Sequence, residues 1–432
     1  MSQPVLPLEG KRHVLLAVSG GSDSTALLIL AVKQAKMLAN PPKLTAITID
    51  HAIRAESADE AKMVAGLCAR LSVQHFAHRW EGEKPLTGIQ DAARDARRGL
   101  IAQTAGQIGA DLVLTGHTQD DLLETVAMRQ KRGPGPGLAG IAPCSYVFND
   151  AAAGGTVLFQ RPLLGTSRAG LRTFLESANV AWIDDPSNDN DAFERVVIRR
   201  ELAASGAERR AELLRIQEEA AIDRVDVSKR AADFILRHAR AAAPGLIRLS
   251  YEFAQTSRAD EAIVALRTLL AFAAGAPLMA AKPHARTILA AARAMSGSGS
   301  KPTRHGWGGA LADFRRQGLY LMQEQRGGLP GTGPFCGRYR LLGAAPALAP
   351  ARTPLMDCVP APASLMRRVN AAEPLFSCPE RGSIPASEAA RLGLPLRLLL
   401  NPWPDLVPSF DLELAAALAR LAGAPPLPAP TL

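Results

Sequence analysis

His13-Val-Leu-Leu-Ala-Val18 runs straight into Ser19-Gly-Gly-Ser-Asp-Ser24, and the reading of that junction decides the fold. Residues 14–18 are an apolar run of strand length. The next six residues form a glycine-rich turn, and a helix carrying Leu27, Leu28, Leu30 and Val32 begins near Asp23. Gly20 and Gly21 let the backbone close around an anion, and the N–H groups of a helix start point at it. Ser19, Ser22 and Ser24 add hydroxyls to the same turn. The junction therefore reads as a phosphate grip between a buried strand and a helix. It is not a Walker loop, whose second glycine is followed by lysine, because no lysine follows Gly21 until Lys33. It also lacks the Gly-x-Gly-x-x-Gly of dinucleotide folds. A glycine- and serine-rich turn alone is usually only a turn; the flanking strand and helix give this one chemical meaning.

Outward from this junction, strand and helix patterns alternate through roughly the first 130 residues, which signals a parallel α/β sheet. Strand-like runs fall at 13–19, 44–50, 73–78 and 111–115, with helix-like runs between them. Ser57-Ala-Asp-Glu60 reads as a capping box that opens the second helix. Ligands of open α/β sheets bind beyond the carboxyl ends of the strands. Three such ends carry informative residues: 19–24, Asp50-His51 and Gly116-His117. Gly133-Pro-Gly-Pro-Gly-Leu-Ala-Gly140 is a loop, 160–164 is extended, and 167–179 is a helix ended by Asn179. An acidic, turn-rich loop at 184–191 leads into helix from Phe193 almost to Arg240. We expect a first domain over 1–215 and a mostly helical one over 216–326. The second ends in a hairpin, 310–316 with 319–323, joined at Gln317-Gly318. The shift to Pro, Ala and Leu beyond Gly327 suggests a small third domain, 327–432, with a proline-rich tail.

Composition excludes several classes. A chain of 432 residues, 47% apolar, sustains a core in two or three domains. Five cysteines, none spaced Cys-x-x-Cys, argue against a disulfide framework and the usual zinc or redox sites. The apolar run after Lys11-Arg12 is too short for a signal peptide. The greasiest stretch, 262–281, is broken by Arg267, Gly275 and Pro277, which makes it a poor membrane span. We expect a cytoplasmic protein that does not engage the membrane. The formal net charge of +9 favours polyanionic partners, and the basic surplus lies largely downstream of the phosphate loop. An arginine-rich set of solvated helix faces is the bland alternative.

The second chemical constellation is His117-Thr-Gln-Asp-Asp-Leu-Leu-Glu-Thr125. It follows the strand at 111–115 and opens a helix. Asp120, Asp121 and Glu124 fall on adjacent strips of one side, at the positive end of that helix. One acid there would be ordinary capping; three acids with a histidine exceed it. Clustered carboxylates can hold Mg²⁺, bind an ammonium group or act as a general base. Asp50-His51-x-x-Arg54 reads either as a surface turn or as a contact to a nucleoside. His117 is either a nucleotide or base contact or a structural histidine. Arg94 and Arg97 either reach phosphate or line a solvated helix face.

Taken in order, these motifs resemble the tRNA(Ile)-lysidine synthetases of the N-type ATP pyrophosphatase (PP-loop) superfamily. The resemblance rests on Ser19-Gly-Gly-Ser-Asp-Ser24, Asp50-His51-Ala-Ile-Arg54 with Glu60-Ala61, and Asp91-Ala-Ala-Arg94-Asp-Ala-Arg97. It continues through His117-x-x-Asp-Asp-x-x-Glu-Thr125, Met128, Arg132-Gly133, Gly137-Leu-Ala-Gly140, Arg161-Pro-Leu-Leu164 and Asp185-Pro-Ser-Asn188, as far as Arg195 and Ile198-Arg199. It covers 13–200; Gly308-Gly309 and the following hairpin look like the end of the family's second domain. Val196, Gly99, Pro134 and Pro136 depart from the family pattern and bear on the substrate loop.

The resemblance implies a Rossmann-like adenylation domain followed by tRNA-binding domains. It also implies a ligase that uses ATP and Mg²⁺ to join free lysine to the wobble cytidine of a CAU-anticodon tRNA(Ile). Ser19, Gly20, Gly21, Ser22, Asp23, Ser24, Asp50 and His51 would hold ATP, with Asp23 the metal contact. Asp23, Asp120, Asp121 and Glu124 would carry the chemistry. Arg54, Arg94, Arg97, His117, Arg161, Arg195 and Arg199 would meet the substrates. Other readings stay open: a tRNA thiolase of the same superfamily, a GMP-synthetase-like amidase, or a non-catalytic nucleotide-dependent RNA-binding protein. The thiolase usually needs a reactive cysteine pair or an iron–sulfur site, and the amidase an ammonia source. The assembly state is open, a homodimer included.

Overall fold

The computed structural model describes residues 3–50, 57–81, 87–149, 155–184, 194–256, 259–295, 303–324, 338–341, 359–371, 375–378, 382–385 and 396–428. The chain divides into two compact units, 1–224 and 225–432.

The first unit is built on β1 (His13–Ala17), β2 (Lys43–Asp50), β3 (Gln74–Arg79), β4 (Leu112–Thr115), β5 (Cys144–Phe148) and β6 (Thr156–Gln160). These strands lie in the order β5-β6-β4-β1-β2-β3, and all neighbours run parallel except β5 with β6. β1 is central, and Val14, Leu15 and Leu16 are fully buried, which explains an apolar run with no polar alternation. The chain leaves β1 toward β2 and β3, then returns to place β4 on the other side of β1. That reversal opens a crevice at the carboxyl ends of β1 and β4.

Helix α1 (Ser22–Ala35) follows β1, and Leu27, Leu28 and Leu30 bury it against the sheet and α5 (Arg168–Ser177). Between them in sequence come α2 (Ser57–Arg70), α3 (Ile89–Gln107) and α4 (Gln119–Lys131). Cys68, on α2, is buried in the same core, and burial pushes its thiol up to about 11, so it is an inert packing residue. The side chains of the expected capping box at residues 57–59 lie outside the described residues. Asn179, with φ of 53°, stops the chain just past α5 in the left-handed region that asparagine tolerates.

Helices α6 (Glu194–Ala204) and α7 (Ala207–His238) follow. The expected boundary at 215 compares with a division at 224/225, both inside the continuous α7. In the second unit, β7 (Ala239–Ala243), β8 (Leu246–Leu249), β9 (Thr303–Trp307), β10 (Ala310–Arg315) and β11 (Gly318–Gln323) form an antiparallel sheet ordered β7-β8-β11-β10-β9. The expected hairpin is β10–β11. Helices α8 (Ala259–Ala274) and α9 (Lys282–Met295) pack beside it. The greasy stretch near 262–281 is largely α8, a buried core helix. Among the described residues no helix is long and apolar enough to cross a membrane. Beyond the expected boundary at 327, α10 (Ala363–Ala371) inserts Leu365 and Val369 among Ala242, Leu246, Tyr320 and Met322. Helix α11 (Leu412–Ala422) closes the described chain.

Candidate active site

The turn after β1 holds its shape with its own hydroxyls. The Ser19 amide donates to Ser24 Oγ (3.1 Å), Ser24 Oγ donates to the Gly21 carbonyl (3.1 Å), and Thr25 Oγ1 to the Gly20 carbonyl (3.1 Å). Gly20 has φ of +89° and a Cβ there would lie 2.6 Å from Ile183 Cδ1, so only glycine fits. The Ile183 amide in turn donates to the Gly20 carbonyl (2.9 Å). Among the described residues no side chain caps the start of α1. Its first-turn N–H groups therefore have no side-chain partner of their own, which is the arrangement that receives an anion. Gly116, at the end of β4, passes so close that a Cβ would sit 3.0 Å from the Ser24 backbone. The end of β4 is thus pressed against the first turn of α1.

On α4 the bland reading is realised in one acid, and arginines gather on the rest. Thr118 and Asp121 form a capping box: Asp121 Oδ2 accepts from the Thr118 amide (2.8 Å) and hydroxyl (2.9 Å). Asp121 Oδ1 is left for arginines, accepting from Arg195 Nη2 (2.7 Å) and Arg168 Nη2 (3.2 Å). Asp120 accepts from Arg210 Nη2 (2.7 Å) and from the Arg168 amide (2.7 Å). Glu124 is 1% exposed and takes Arg195 Nε on one oxygen (2.5 Å) and Arg199 Nε on the other (2.7 Å). Arg168 Nε donates to Asp23 Oδ2 (2.9 Å). One guanidinium thereby links the phosphate-loop acid to the acids of α4. Four carboxylates and four arginines balance in charge, which is how so many ions coexist below the surface.

Charge states follow. Burial pushes the Asp121 carboxyl up, but Arg195 and Arg168 with the Thr118 amide outweigh it and hold it below the usual value. Asp120 is likewise lowered: burial is outweighed by Arg210 and the Arg168 amide. At Asp23 burial wins over Arg168, and the carboxyl titrates above its ordinary value. His117 drops to about 3 through burial, with Arg161, Arg97 and Arg94 adding to the fall against Asp121. It is a neutral imidazole near pH 7, with Nδ1 3.0 Å from Thr115 Oγ1.

Arg94 is exposed and Arg97 half-buried, and the side chain of neither forms an ion pair or hydrogen bond among the described residues. Burial lowers the Arg97 guanidinium, and Arg94 and Arg195 lower it further. Arg94, Arg97 and Arg195 thus form a patch of like charge. Arg161 is tied to the chain itself, through the Ala142 carbonyl (2.8 Å) and Ser145 Oγ (3.2 Å), while its buried Nε has no partner among the described residues. Asp50 ends β2 beside an open cleft of about 290 Å³ lined also by Lys62, His78 and Arg79. His51, Arg54 and residues 185–188 lie outside the described residues.

The described structure thus brings together Asp23, Asp120, Asp121, Glu124, Arg195 and Arg199. Sequence reasoning missed Arg168 and Arg210. Arg168 carried a signal: a cation at the first position of a helix, after the cap Ser167, opposes the helix dipole and calls for a nearby acid. Among the described residues no three His, Cys, Asp or Glu side chains are arranged as a metal cage. Asp23 beside the phosphate loop fits a different mode, in which Mg²⁺ uses one or two carboxylates plus substrate phosphates.

Residues 1–205 match the model of the PP-loop domain. The chain is 39% identical over 435 residues to a tRNA(Ile)-lysidine synthase of Mesorhizobium japonicum, covering 96% of this chain and 93% of that one. It is 34% identical to that of Rhizobium meliloti, covering 97% and 93%. Among solved structures it resembles the U34-tRNA thiolase NcsA of Methanococcus maripaludis at 16% identity and a TM-score of 0.41, over 49% of this chain and 73% of that one. A phosphate loop facing an acid helix, in a chain matched almost end to end by such relatives, makes it a member of the tRNA(Ile)-lysidine synthase family.

Proposed function

We propose that the enzyme joins free lysine to the wobble cytidine of a CAU-anticodon tRNA(Ile) in the cytoplasm, by way of an adenylated tRNA. In the first step the cytidine carbonyl oxygen attacks the α-phosphate of ATP, and pyrophosphate leaves. In the second, the lysine ε-amine attacks the adjoining ring carbon, and the oxygen departs within AMP. Adenylation is needed because a cytosine carbonyl oxygen is a poor leaving group on its own.

The N–H groups at the start of α1 and the hydroxyls of residues 19–24 would receive the pyrophosphate. Asp23, together with the phosphates, would hold Mg²⁺, which would neutralise charge on the departing group. Neutral His117 and the Asp50 cleft would meet the nucleoside, with His51 and Arg54 expected nearby. Arg94, Arg97 and Arg161 would face the tRNA backbone with their surplus charge. Lysine's amine has a solution pKa of about 10.4 and must lose a proton before attack. Asp120, Asp121 and Glu124 would bind its ammonium, in exchange for part of their arginine partnership. Residues 216–326 and 327–432 would grip the body of the tRNA, since a CAU anticodon alone does not separate tRNA(Ile) from methionine tRNA.

The observation that best supports this reading is the Arg168 bridge, which couples the phosphate-loop acid to the acids of α4 across the crevice between β1 and β4. The test is ATP-dependent incorporation of radiolabelled lysine into tRNA(Ile) transcript. Incorporation is expected at the wobble cytidine only. Pyrophosphate release on another acceptor, with no lysine in the tRNA, overturns it.

A further inference from the structure

Arg168 touches every carboxylate of the site, yet only one of them depends on it. Asp121 also holds Arg195, Glu124 holds Arg195 and Arg199, and Asp120 holds Arg210. Asp23 has Arg168 as its sole ion pair among the described residues, with only the Ser22 hydroxyl besides (3.1 Å). If the guanidinium moved, the acids of α4 would remain compensated and Asp23 alone would be exposed.

The backbone at Arg168 is fixed. Its amide donates to Asp120 Oδ2, and Ser167 Oγ accepts from the Gly170 amide (3.2 Å) to cap α5. The side chain is therefore the part free to swing, from an anchored root. A divalent cation arriving at Asp23 would compete for an oxygen already 2.9 Å from the guanidinium, and like charges at such distances repel strongly. A triphosphate at the start of α1 brings anionic oxygens that arginine recognises well.

We propose that Arg168 is an exchangeable stand-in for the metal. In the empty site it neutralises Asp23; on nucleotide binding its guanidinium passes to a phosphate oxygen of ATP and Asp23 passes to the divalent cation. The proposal rests on residues 19–24 being an ATP site, and it involves neither lysine nor tRNA.

The test uses the full-length chain as wild type, Arg168→Gln, Arg168→Lys and the double variant Arg168→Gln/Asp23→Asn. Mn²⁺ alone is followed by electron paramagnetic resonance, and α,β-methylene ATP with Mg²⁺ by calorimetry. Arg168→Gln should bind Mn²⁺ about tenfold more tightly than wild type, because a competing cation is gone, and the nucleotide about tenfold more weakly. Asp23→Asn in that background should abolish the gain, and Arg168→Lys should recover part of the nucleotide affinity. A purely structural role predicts that both affinities fall together, and that result overturns the exchange, as does unchanged Mn²⁺ binding. Should Arg168→Gln not fold, Arg168→Lys must still bind Mn²⁺ more tightly, since a lysine ammonium cannot serve Asp23, Asp121 and Glu124 at once as the guanidinium does; no gain overturns the proposal. A wild-type protein that fails to bind the nucleotide overturns the ATP reading itself, which is distinct from a wild type that binds while the variants do not differ.

Discussion

Glu124 is the most enclosed carboxylate of the site, and its partners fix what its loss would do. Glu124→Ala leaves Arg195 and Arg199 without their shared acceptor, and breaking one side of a buried ion pair typically costs about 3–5 kcal/mol. The urea midpoint should fall accordingly, and a change under about 1 kcal/mol would mean that the arginines find other acceptors. His117 predicts a pH effect. In the native state it stays neutral down to about pH 3, whereas unfolded histidine takes its proton near pH 6.5. Stability should therefore fall as pH drops from about 6.5 toward 3, and His117→Asn should flatten that slope in denaturant titrations. Asp120 and Asp121 have lowered native values, so their contribution is complete above the ordinary carboxylate range and is lost on acidification through those values. Raised Asp23 has the opposite sign, favouring the folded state at low pH and losing that contribution as pH rises through its native value. At this scale the sequence named Asp23, Asp120, Asp121, Glu124, Arg195 and Arg199. It left Arg168 unnamed because a single arginine says nothing of a carboxylate about 145 residues away until the chain is folded.

Two elements set the site's dimensions, the start of α1 and the start of α5. Ser167→Ala removes the cap of α5, for a loss of about 1 kcal/mol in thermal or denaturant unfolding. It also loosens the anchor of Arg168, so KM for ATP should rise while the fold survives. Gly116→Ala meets the Ser24 backbone at 3.0 Å and must push β4 and α1 apart. We expect KM for ATP to rise by about tenfold, measured as lysine incorporation at varied ATP, since misplacement of about 1 Å can cost far more than that in rate. An unchanged KM would mean that the strand ends are not rigidly spaced. The central strands at 13–17 and 112–115 were legible as continuous apolar runs, and those at 43–50 and 74–79 from the alternation of strand and helix patterns along the chain. In the second unit only the β10–β11 hairpin was legible. β7 is alanine-rich, β9 is exposed, and β8 is a four-residue strand that joins the sheet to the hairpin through β11, which is distant in sequence.

For the whole molecule, a formal net charge of +9 and the like-charged patch around Arg94 and Arg97 predict salt-sensitive tRNA binding. The logarithm of affinity should fall linearly with the logarithm of salt concentration. Arg94→Gln and Arg97→Gln should each reduce the slope by about one and weaken binding of all tRNAs alike. A slope unchanged in both variants would remove these arginines from the tRNA contact surface.

The sequence alone determined the chemistry available: a strand–loop–helix phosphate grip, an acid-rich helix start, and a run of motifs through Arg199 that resembles one family. These are local signals, written in residues close together along the chain, where backbone conformation and helix dipoles act. The tertiary structure decided the ionic state of that chemistry. It placed Arg168 and Arg210 among the acids, left Arg94 and Arg97 without an ion pair among the described residues, and enclosed half-buried His117 as a neutral ring. Coulomb interaction and desolvation depend on distance in space and on exclusion of water, and only folding sets either of them.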